Sequence, residues 1–496
     1  MATTEAKTFR NYIGGEWVEA SGGETFETRN PATGEVLGVF PRSSVEDVDR
    51  AVEAAKEAYE RWRLVPAPRR AEVLFRVGQR FIDRKDELTE LMVQEMGKVR
   101  AEAGGDVQEA IDMTYYMAGE GRRLFGQTTP SEMPDKFQMS IRMPVGVVGA
   151  ITPWNFPIAI PSWKIAPALV CGDTVVFKPA TDTPMLGERF VEIFEEAGLP
   201  AGVLNIVHGG GATVGERLVK HPEVPLISLT GSREVGIETA TNAAPLLKHV
   251  HLELGGKNAI IVMDDADIDL AVDGILWSAF GTSGQRCTAA SRVIAGAKVY
   301  DELQTKLVGR AEGMRLGNGL DEDTDVGPVI NQAALEKIHS YTQIGKDEGA
   351  KLVTGGEIAT ENGLDKGFFY RPTVFADVEP DMRIAQEEIF GPTTALIRAT
   401  DVDEAIRIAN GIEFGLSSSI FTRDINKAFR AIRDLNAGIT YINAGTTGAE
   451  VHLPFGGTKQ TGNGHREAGQ AALDFYTEWK AVYVDYSGKL QRAQID

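Results

Sequence analysis

Two cysteines, Cys171 and Cys287, are all that the 496 residues contain. That is too few for a disulfide framework, and no Cys/His spacing resembles a zinc site. A reducing compartment is therefore expected. Positive charge is also scarce: 51 Lys and Arg stand against 71 Asp and Glu, a formal net charge of −20. This balance repels phosphate backbones and anionic membrane surfaces, and no basic cluster offsets it, so nucleic acid is not an expected partner. Long apolar runs are missing. The most apolar stretch, Trp154 to Cys171, is broken by Pro157, Pro161 and Pro167 and by Asn155, Ser162 and Lys164, which argues against a membrane span. The opening MATTEAKTFRNYIGG lacks the basic-then-apolar pattern of a secretory signal. Neither a fixed-period repeat nor a low-complexity tract is present. What remains, 43% hydrophobic and 25% charged residues, is the makeup of a soluble globular protein. About two to four domains and a cytoplasmic location are expected.

Residues 44–125 read as helices. Ser44 and Asp47 suit a capping box, and VDRAVEAAKEAYERWR carries apolar residues at helical spacing. ELTELMVQEMGKV and VQEAIDMTYYMAGEGRRLF look similar. The texture changes near residue 136, where FQMSIRMPVGVVGAITP holds two short β-like runs. Then VGVVGAITP, TVVFKP, VLNIVHG, LISLTG and HVHLEL alternate with MLGERFVEIFEEAG, TVGERLVKH and REVGIETATNA. Such alternation predicts a parallel, doubly wound sheet. A second α/β stretch runs from about 256 to 455. The end, DFYTEWKAVYVDYS, reads as a strand suited to pairing with a partner.

Cys287, in GTSGQRCTAA, stands beside glycines and small polar residues. Flexible backbone admits a substrate there, and amide N–H groups can lower a thiol pKa, so a nucleophile competes with an inert buried cysteine. Cys171, in PALVCGDTVV, has a purely apolar setting and reads as structural. HLELGGKN places Glu253 beside Gly255 and Gly256 after an apolar strand, where a carboxylate can act as base. TPWNFP holds Asn155 between aromatics and prolines, an amide suited to donate to an oxyanion. Either residue alone also reads as a loop residue satisfying backbone groups.

Together these segments resemble the aldehyde dehydrogenase superfamily. The likeness covers nearly the whole chain in the family's order: ITPWNFP, FKPA, LTGSREVG, LELGGKN, GQRC, EEIFGP and FGGTKQTGNGHREAG. The spacing of 34 residues from Glu253 to Cys287 is also the family's. The resemblance implies an α/β fold in three parts. A Rossmann-like dinucleotide-binding domain takes 1–125 and 145–255, and an α/β catalytic domain takes 256–459. Residues 126–144 and 470–496 form a small β oligomerisation domain, pairing sheet edges into a homodimer or homotetramer.

It implies a mechanism as well. Cys287 thiolate attacks the aldehyde carbon, while the Asn155 amide and the Cys287 N–H hold the oxyanion. Hydride leaves for a nicotinamide, and Glu253 activates the water that hydrolyses the thioester. Lys164 and Glu467 match a proton-relay pair, for which a structural salt bridge is the plainer alternative. The cofactor is NADP and/or NAD. Lys178 matches the lysine at the adenosine ribose, Ser232 the residue whose helix start meets the pyrophosphate, and Glu388 and Phe390 the holders of the nicotinamide ribose. Ile151, Thr152, Pro153, Trp154, Thr230, Gly231 and Leu254 complete the implied cofactor set, with Gly211 and Gly215 from the run GGGATVG. That run is not a G-x-G-x-x-G fingerprint, and a strand-to-helix turn suffices to explain it. Where the NAD-preferring pattern has a glutamate, Thr181 stands, removing a charge that would repel a 2′-phosphate. Arg233 adds attraction, an exposed arginine being its plain alternative, and NADP is expected to be accepted beside NAD.

VQEAIDMTYYMAG, GTSGQRCTAASR and GTTGAEVHLPFGG look closest to the antiquitin-like branch, which oxidises α-aminoadipic semialdehyde. By that likeness Arg286 and the Gly448–Ala449 segment bind a substrate carboxylate and Glu109 its amine; pairing with a local acid and a solvated helix charge are the plain alternatives for the two side chains. Phe156 and Trp163 match positions lining the aldehyde tunnel, though packing alone also explains them, and Thr288 follows the nucleophile. His452 lies in the late loop, where a surface role suffices. Related branches take 2,5-dioxopentanoate and succinate semialdehyde. The competing readings are a broad enzyme for uncharged aldehydes, a CoA-acylating dehydrogenase and a non-catalytic structural protein. The family's CoA-acylating branch lacks a glutamate at the Glu253 position, and the intact Cys287, Glu253 and Asn155 argue against a structural role. No metal is implied.

Overall fold

The computed structural model describes residues 7–495. Residues 1–6 and 496, which include the outer bounds of the expected domains and the first part of MATTEAKTFRNYIGG, lie outside that description. Four helices, Val45–Trp62, Ala67–Asp83, Lys85–Met96 and Arg100–Glu120, occupy the stretch read as helical. The capping box forms: Ser44 N–H donates to the Asp47 carboxylate at 2.9 Å, and the Asp47 N–H donates back to the Ser44 hydroxyl.

The first sheet runs in the order His249–Glu253, Leu226–Thr230, Val147–Ile151, Thr174–Lys178, Leu204–Ile206. These five strands are parallel, as their alternation with helices required. The hairpin of Asn11–Ile13 and Glu16–Val18 adds an antiparallel edge. The chain leaves Val147–Ile151 in one direction through two strands, then returns to its other side with Leu226–Thr230. That reversal is a topological switch point, and open α/β sheets bind ligands at the carboxyl ends of strands there.

A second seven-stranded sheet is parallel apart from its edge strand Lys351–Thr354, with Ala290–Gly296 and Asn258–Val262 at its centre. Residues Leu254 to Lys257 carry the chain from one sheet into the other. The terminal strand Thr477–Asp485 pairs along its full length with Lys136–Pro144 of its own chain, which in turn pairs with Gln127–Pro130. That strand is the outermost of its sheet, so one side pairs within the chain and the other has no strand beside it among the described residues. The apolar stretch near Trp163 becomes the buried helix Ala159–Cys171, and among the described residues no helix is long and apolar enough to cross a membrane.

Candidate active site

Three carboxyl ends of the first sheet meet the loop that enters the second. Val147–Ile151 delivers Thr152 to Asn155, Leu226–Thr230 delivers Gly231 and Ser232, and His249–Glu253 ends in Glu253 itself. Cys287 lies just before the strand Ala290–Gly296, behind a tight turn in which Thr282, Ser283 and Gly284 all have positive φ. The turn is pinned. The Glu102 carboxylate accepts the Thr282 N–H at 2.9 Å, and Gln285 Oε1 accepts the Ile330 N–H at 2.9 Å. Any side chain at Gly284 would lie 2.1 Å from the Gly391 carbonyl oxygen, so the close approach requires glycine. Asn258 Nδ2 donates to the Cys287 carbonyl at 2.7 Å.

Cys287 borders two cavities. One, of about 350 Å³, is lined by Glu253, Arg286, Glu109, Phe156, Trp163 and Thr288, together with Gly448 and Ala449. The other, of about 260 Å³, is lined by Pro153, Trp154, Asn155, Thr230, Gly231, Ser232, Leu254, Glu388 and Phe390. Asn155 is buried and its Nδ2 donates to the Gln285 carbonyl at 3.0 Å, which fixes the amide against the loop that carries Cys287 and leaves its second N–H. Burial first, then the charges of Glu253 and Glu388, push the Cys287 thiol up to about 12, while the backbone N–H groups of Thr288 and Cys287 pull the other way. Burial also raises Glu253, against the opposing pull of His251, and its Oε2 has no hydrogen-bond partner among the described residues.

Behind Glu253 lies a buried polar chain. Lys164 donates to Glu467 Oε1 and, at 3.2 Å, to the Ser228 hydroxyl. Burial alone would raise Glu467, but Lys164 and His251 overcome it and hold the carboxyl low. His251 stands between Glu467 and Glu253. Strand alternation could have found it, since His251 precedes Glu253 by two residues on one strand face.

The second cavity fits a nicotinamide nucleotide. Thr230 Oγ1 is buried without a partner among the described residues, and Ser232, the N-cap of the helix Arg233–Ala243, lines the cavity and so sets a helix N-terminus at its edge. Glu388 accepts the Gly256 N–H at 2.9 Å, and Phe390 meets Trp154 edge-on at 5.6 Å. A side chain at Gly255 would lie 2.4 Å from Glu388 Oε2, so the missing Cβ is what leaves room for that carboxylate. Ile151, Thr152, Lys178, Thr181, Gly211 and Gly215 do not line either cavity. They belong instead to the ends of neighbouring strands and the segments after them: the Thr152 N–H donates to the Lys178 carbonyl at 3.2 Å, and Gly215 lies against the Lys178 side chain. Burial lowers Lys178 to about 8, with Asp182 opposing. Arg233 departs from expectation. Its Nη1 donates to Glu413 at 2.6 Å and to Gln460 at 2.7 Å, so its charge is answered within the chain.

Arg286 has the local acid partner that its plain reading called for. Nη2 donates to Glu102 Oε1 at 2.9 Å, Nε donates to the Thr282 hydroxyl at 2.9 Å, and the guanidinium lies 4.6 Å from the Trp277 ring centroid. Nη1 is left without such a partner among the described residues. Glu102, Asp106 and Glu109 recur at helical spacing on Arg100–Glu120, a signal that singling out Glu109 alone overlooked. Glu109 is half-buried at the cavity wall, and burial followed by the Asp106 charge pushes it up to about 8. Asp106 pairs with buried Lys98 at 2.6 Å, whose ammonium sits 3.6 Å from the Phe156 ring centroid. Trp163 meets Phe455 edge-on at 5.0 Å, and its Nε1 is buried without a partner among the described residues. His452 is exposed and lies 3.4 Å from Glu450, as a surface role implies.

The sequence profile of the aldehyde dehydrogenase family matches residues 17–482. The chain is 43% identical over 482 residues to the alpha-ketoglutaric semialdehyde dehydrogenase of Bacillus subtilis, covering 97% of this chain and 99% of that one. It is 44% identical over 479 residues to the alpha-ketoglutarate semialdehyde dehydrogenase of Haloferax volcanii, covering 96% and 99%. Among solved structures, the betaine aldehyde dehydrogenase of Staphylococcus aureus in complex with NAD+ matches with a TM-score of 0.95 at 37% identity, covering 97% of this chain and 96% of that one.

Proposed function

The chain belongs to the aldehyde dehydrogenase family, and from that premise we propose that it oxidises a carboxylate-bearing semialdehyde to the dicarboxylic acid through a thioester on Cys287. NAD or NADP is the acceptor. The observation that carries this reading is the place of Cys287 at the junction of two cavities, one walled by Arg286 and aromatic rings, the other by Ser232, Glu388 and Trp154.

The residues then act in order. Cys287 gives up its thiol proton to solvent and bonds as thiolate through Sγ to the aldehyde carbon, whose C=O π pair becomes the oxyanion taken by the second N–H of Asn155 and the Cys287 backbone N–H. One such donor is worth about 3–4 kcal/mol in acyl-transfer sites. Nicotinamide, when bound in the second cavity by Ser232, Glu388 and Phe390, supplies the hydride acceptor. Glu253 takes a proton from the water that attacks the thioester, releasing the acid and the Cys287 sulfur. Lys164 and Glu467 form the relay behind it. Glu253 also disfavours transfer to CoA, because a base poised for water serves hydrolysis.

A five-carbon keto semialdehyde, 2,5-dioxopentanoate, is the substrate best supported. Nη1 of Arg286 is available for its carboxylate, and the relatives from Bacillus and Haloferax carry that activity in their names. Glu109, raised to about 8 by burial, is mostly a neutral acid near neutral pH, which suits donation to a keto or carboxylate oxygen better than pairing with the ammonium of α-aminoadipic semialdehyde. Thr181 supports use of NADP beside NAD. The two seven-stranded sheets and the three-stranded sheet support the three expected domains. Assembly as a homodimer or homotetramer is supported by the exposed apolar stripe Ile425, Phe429 and Ile432 on the helix Ile425–Asp434 and by the open sheet edge at Ile439–Ile442.

The test is reduced-nicotinamide formation by pure protein with NAD and NADP. The panel holds 2,5-dioxopentanoic, α-aminoadipic and succinic semialdehydes and uncharged aldehydes of similar length. Preference for the carboxylate-bearing members, led by 2,5-dioxopentanoate, is expected. Equal rates on uncharged aldehydes would remove the semialdehyde assignment and leave a broad aldehyde dehydrogenase.

A further inference from the structure

A buried carboxylate that must work as a base needs something to keep it charged, because burial alone favours its protonated form. The imidazole of His251 occupies the place where such a group would act. It is 1% exposed, with Nε2 3.4 Å from Glu253 Oε1 and Nδ1 3.3 Å from Glu467 Oε1, ion-pair distances at which Nε2 has no hydrogen-bond partner among the described residues. The strand register sets Ser228 beside His251, and the Ser228 hydroxyl, 3.4 Å from Nδ1, also receives the Lys164 ammonium and, at 3.2 Å, the Tyr476 hydroxyl. The ring of Phe475 packs at 4.9 Å and the exposed His465 stands edge-on at 5.9 Å. The charged and titratable groups facing the imidazole are therefore Glu253, Glu467, Lys164, Tyr476 and His465. Lys164 and Glu467 answer each other, which leaves Glu253 to be answered by His251.

We propose that His251 is a positioning residue for the base: as an imidazolium set between two carboxylates, it holds Glu253 ionised and anchored to the Lys164–Glu467 pair. A proton on His251 thereby serves two acids at once, one structural and one facing the reacting cavity. The direction of the titration shifts agrees. Burial opposes a charge on His251, yet the two carboxylates raise it above the usual imidazole range, and His251 in turn opposes the rise of Glu253. The inference rests on the base role proposed for Glu253.

The experiment is the pH profile of the steady-state rate, with the burst of reduced nicotinamide recorded separately, for wild type, His251→Gln, His251→Asn and Glu253→Gln. In the His251 variants Glu253 loses its positive neighbour, and an opposite charge at that range is worth about 1–3 pH units. The acidic limb is expected to move up by that amount, so the steady-state rate near neutral pH falls at least about tenfold and recovers at alkaline pH, with the burst retained. Glu253→Gln is expected to give the burst and then stop. An unmoved limb, or a loss equal at every pH in both His251 variants, overturns the role of His251 while leaving that of Glu253. Sustained turnover by Glu253→Gln overturns the base reading and this inference with it.

Discussion

Arg286 and Glu102 form a buried ion pair, Nη2 to Oε1 at 2.9 Å, across the wall of the cavity that holds Cys287. With Nε given to the Thr282 hydroxyl, both N–H groups of Nη1 are left without a partner among the described residues. Arg286→Gln is therefore expected to raise KM for carboxylate-bearing semialdehydes at least about tenfold, roughly one charge-assisted hydrogen bond, with little change for uncharged aldehydes. Initial-rate kinetics on both classes check it. Glu102→Ala strands the guanidinium and is expected to cost about 3–5 kcal/mol of stability, read from denaturant unfolding.

Asn155 is expected to act on the rate and not on binding. Removing its amide as Asn155→Ala should lower kcat by about 10²–10³ while affinity for the nicotinamide cofactor, followed by fluorescence, is unchanged. Cys287→Ala should abolish oxidation and likewise keep cofactor binding. Turnover by that variant would rule out the covalent route.

The raised thiol of Cys287 gives a pH dependence with a definite sign. With its pKa pushed up to about 12, the reactive thiolate grows with pH across the neutral range. Alkylation by iodoacetamide should accelerate about tenfold per pH unit there, with no plateau near neutrality. Glu253→Gln removes a negative neighbour that raises the thiol, so alkylation at any one pH should be faster than in wild type.

Glu109 provides a stability test. The folded protein keeps this proton up to about 8, against an ordinary value of 4.5 in the unfolded chain. Between those values the native state binds more protons than the unfolded one, so this group's contribution falls as pH rises. Glu109→Gln, which keeps the neutral shape, should flatten that slope and raise Tm relative to wild type at mildly alkaline pH. Parallel melting curves of the two proteins would contradict the assignment.

Gly255→Ala isolates the cofactor contact proposed for Glu388. The new methyl would meet Glu388 Oε2, the end of a flexible side chain, at 2.4 Å, so the carboxylate moves and the fold persists. KM for NAD or NADP is expected to rise several-fold, with unfolding free energy changed by less than about 1 kcal/mol.

Much of this protein was legible along the chain. Strand and helix alternation announced the parallel sheet, because hydrophobic periodicity is set by a segment's own geometry. Ser44 and Asp47 announced their cap, being three residues apart. Cys287, Glu253 and Asn155 each stood in a local setting suited to their chemistry. The tertiary structure alone decided the rest. Arg286 meets Glu102 across 184 residues, Arg233 meets Glu413 across 180, and Lys164 meets Glu467 across 303. No local pattern encodes such pairs, since a buried charge takes whichever opposite charge the packed core brings beside it. His251 shows both sides of that division. Its place beside Glu253 follows from the two-residue period of a strand, but its second carboxylate, Glu467, stands 216 residues further along the chain and arrives only with the tertiary fold.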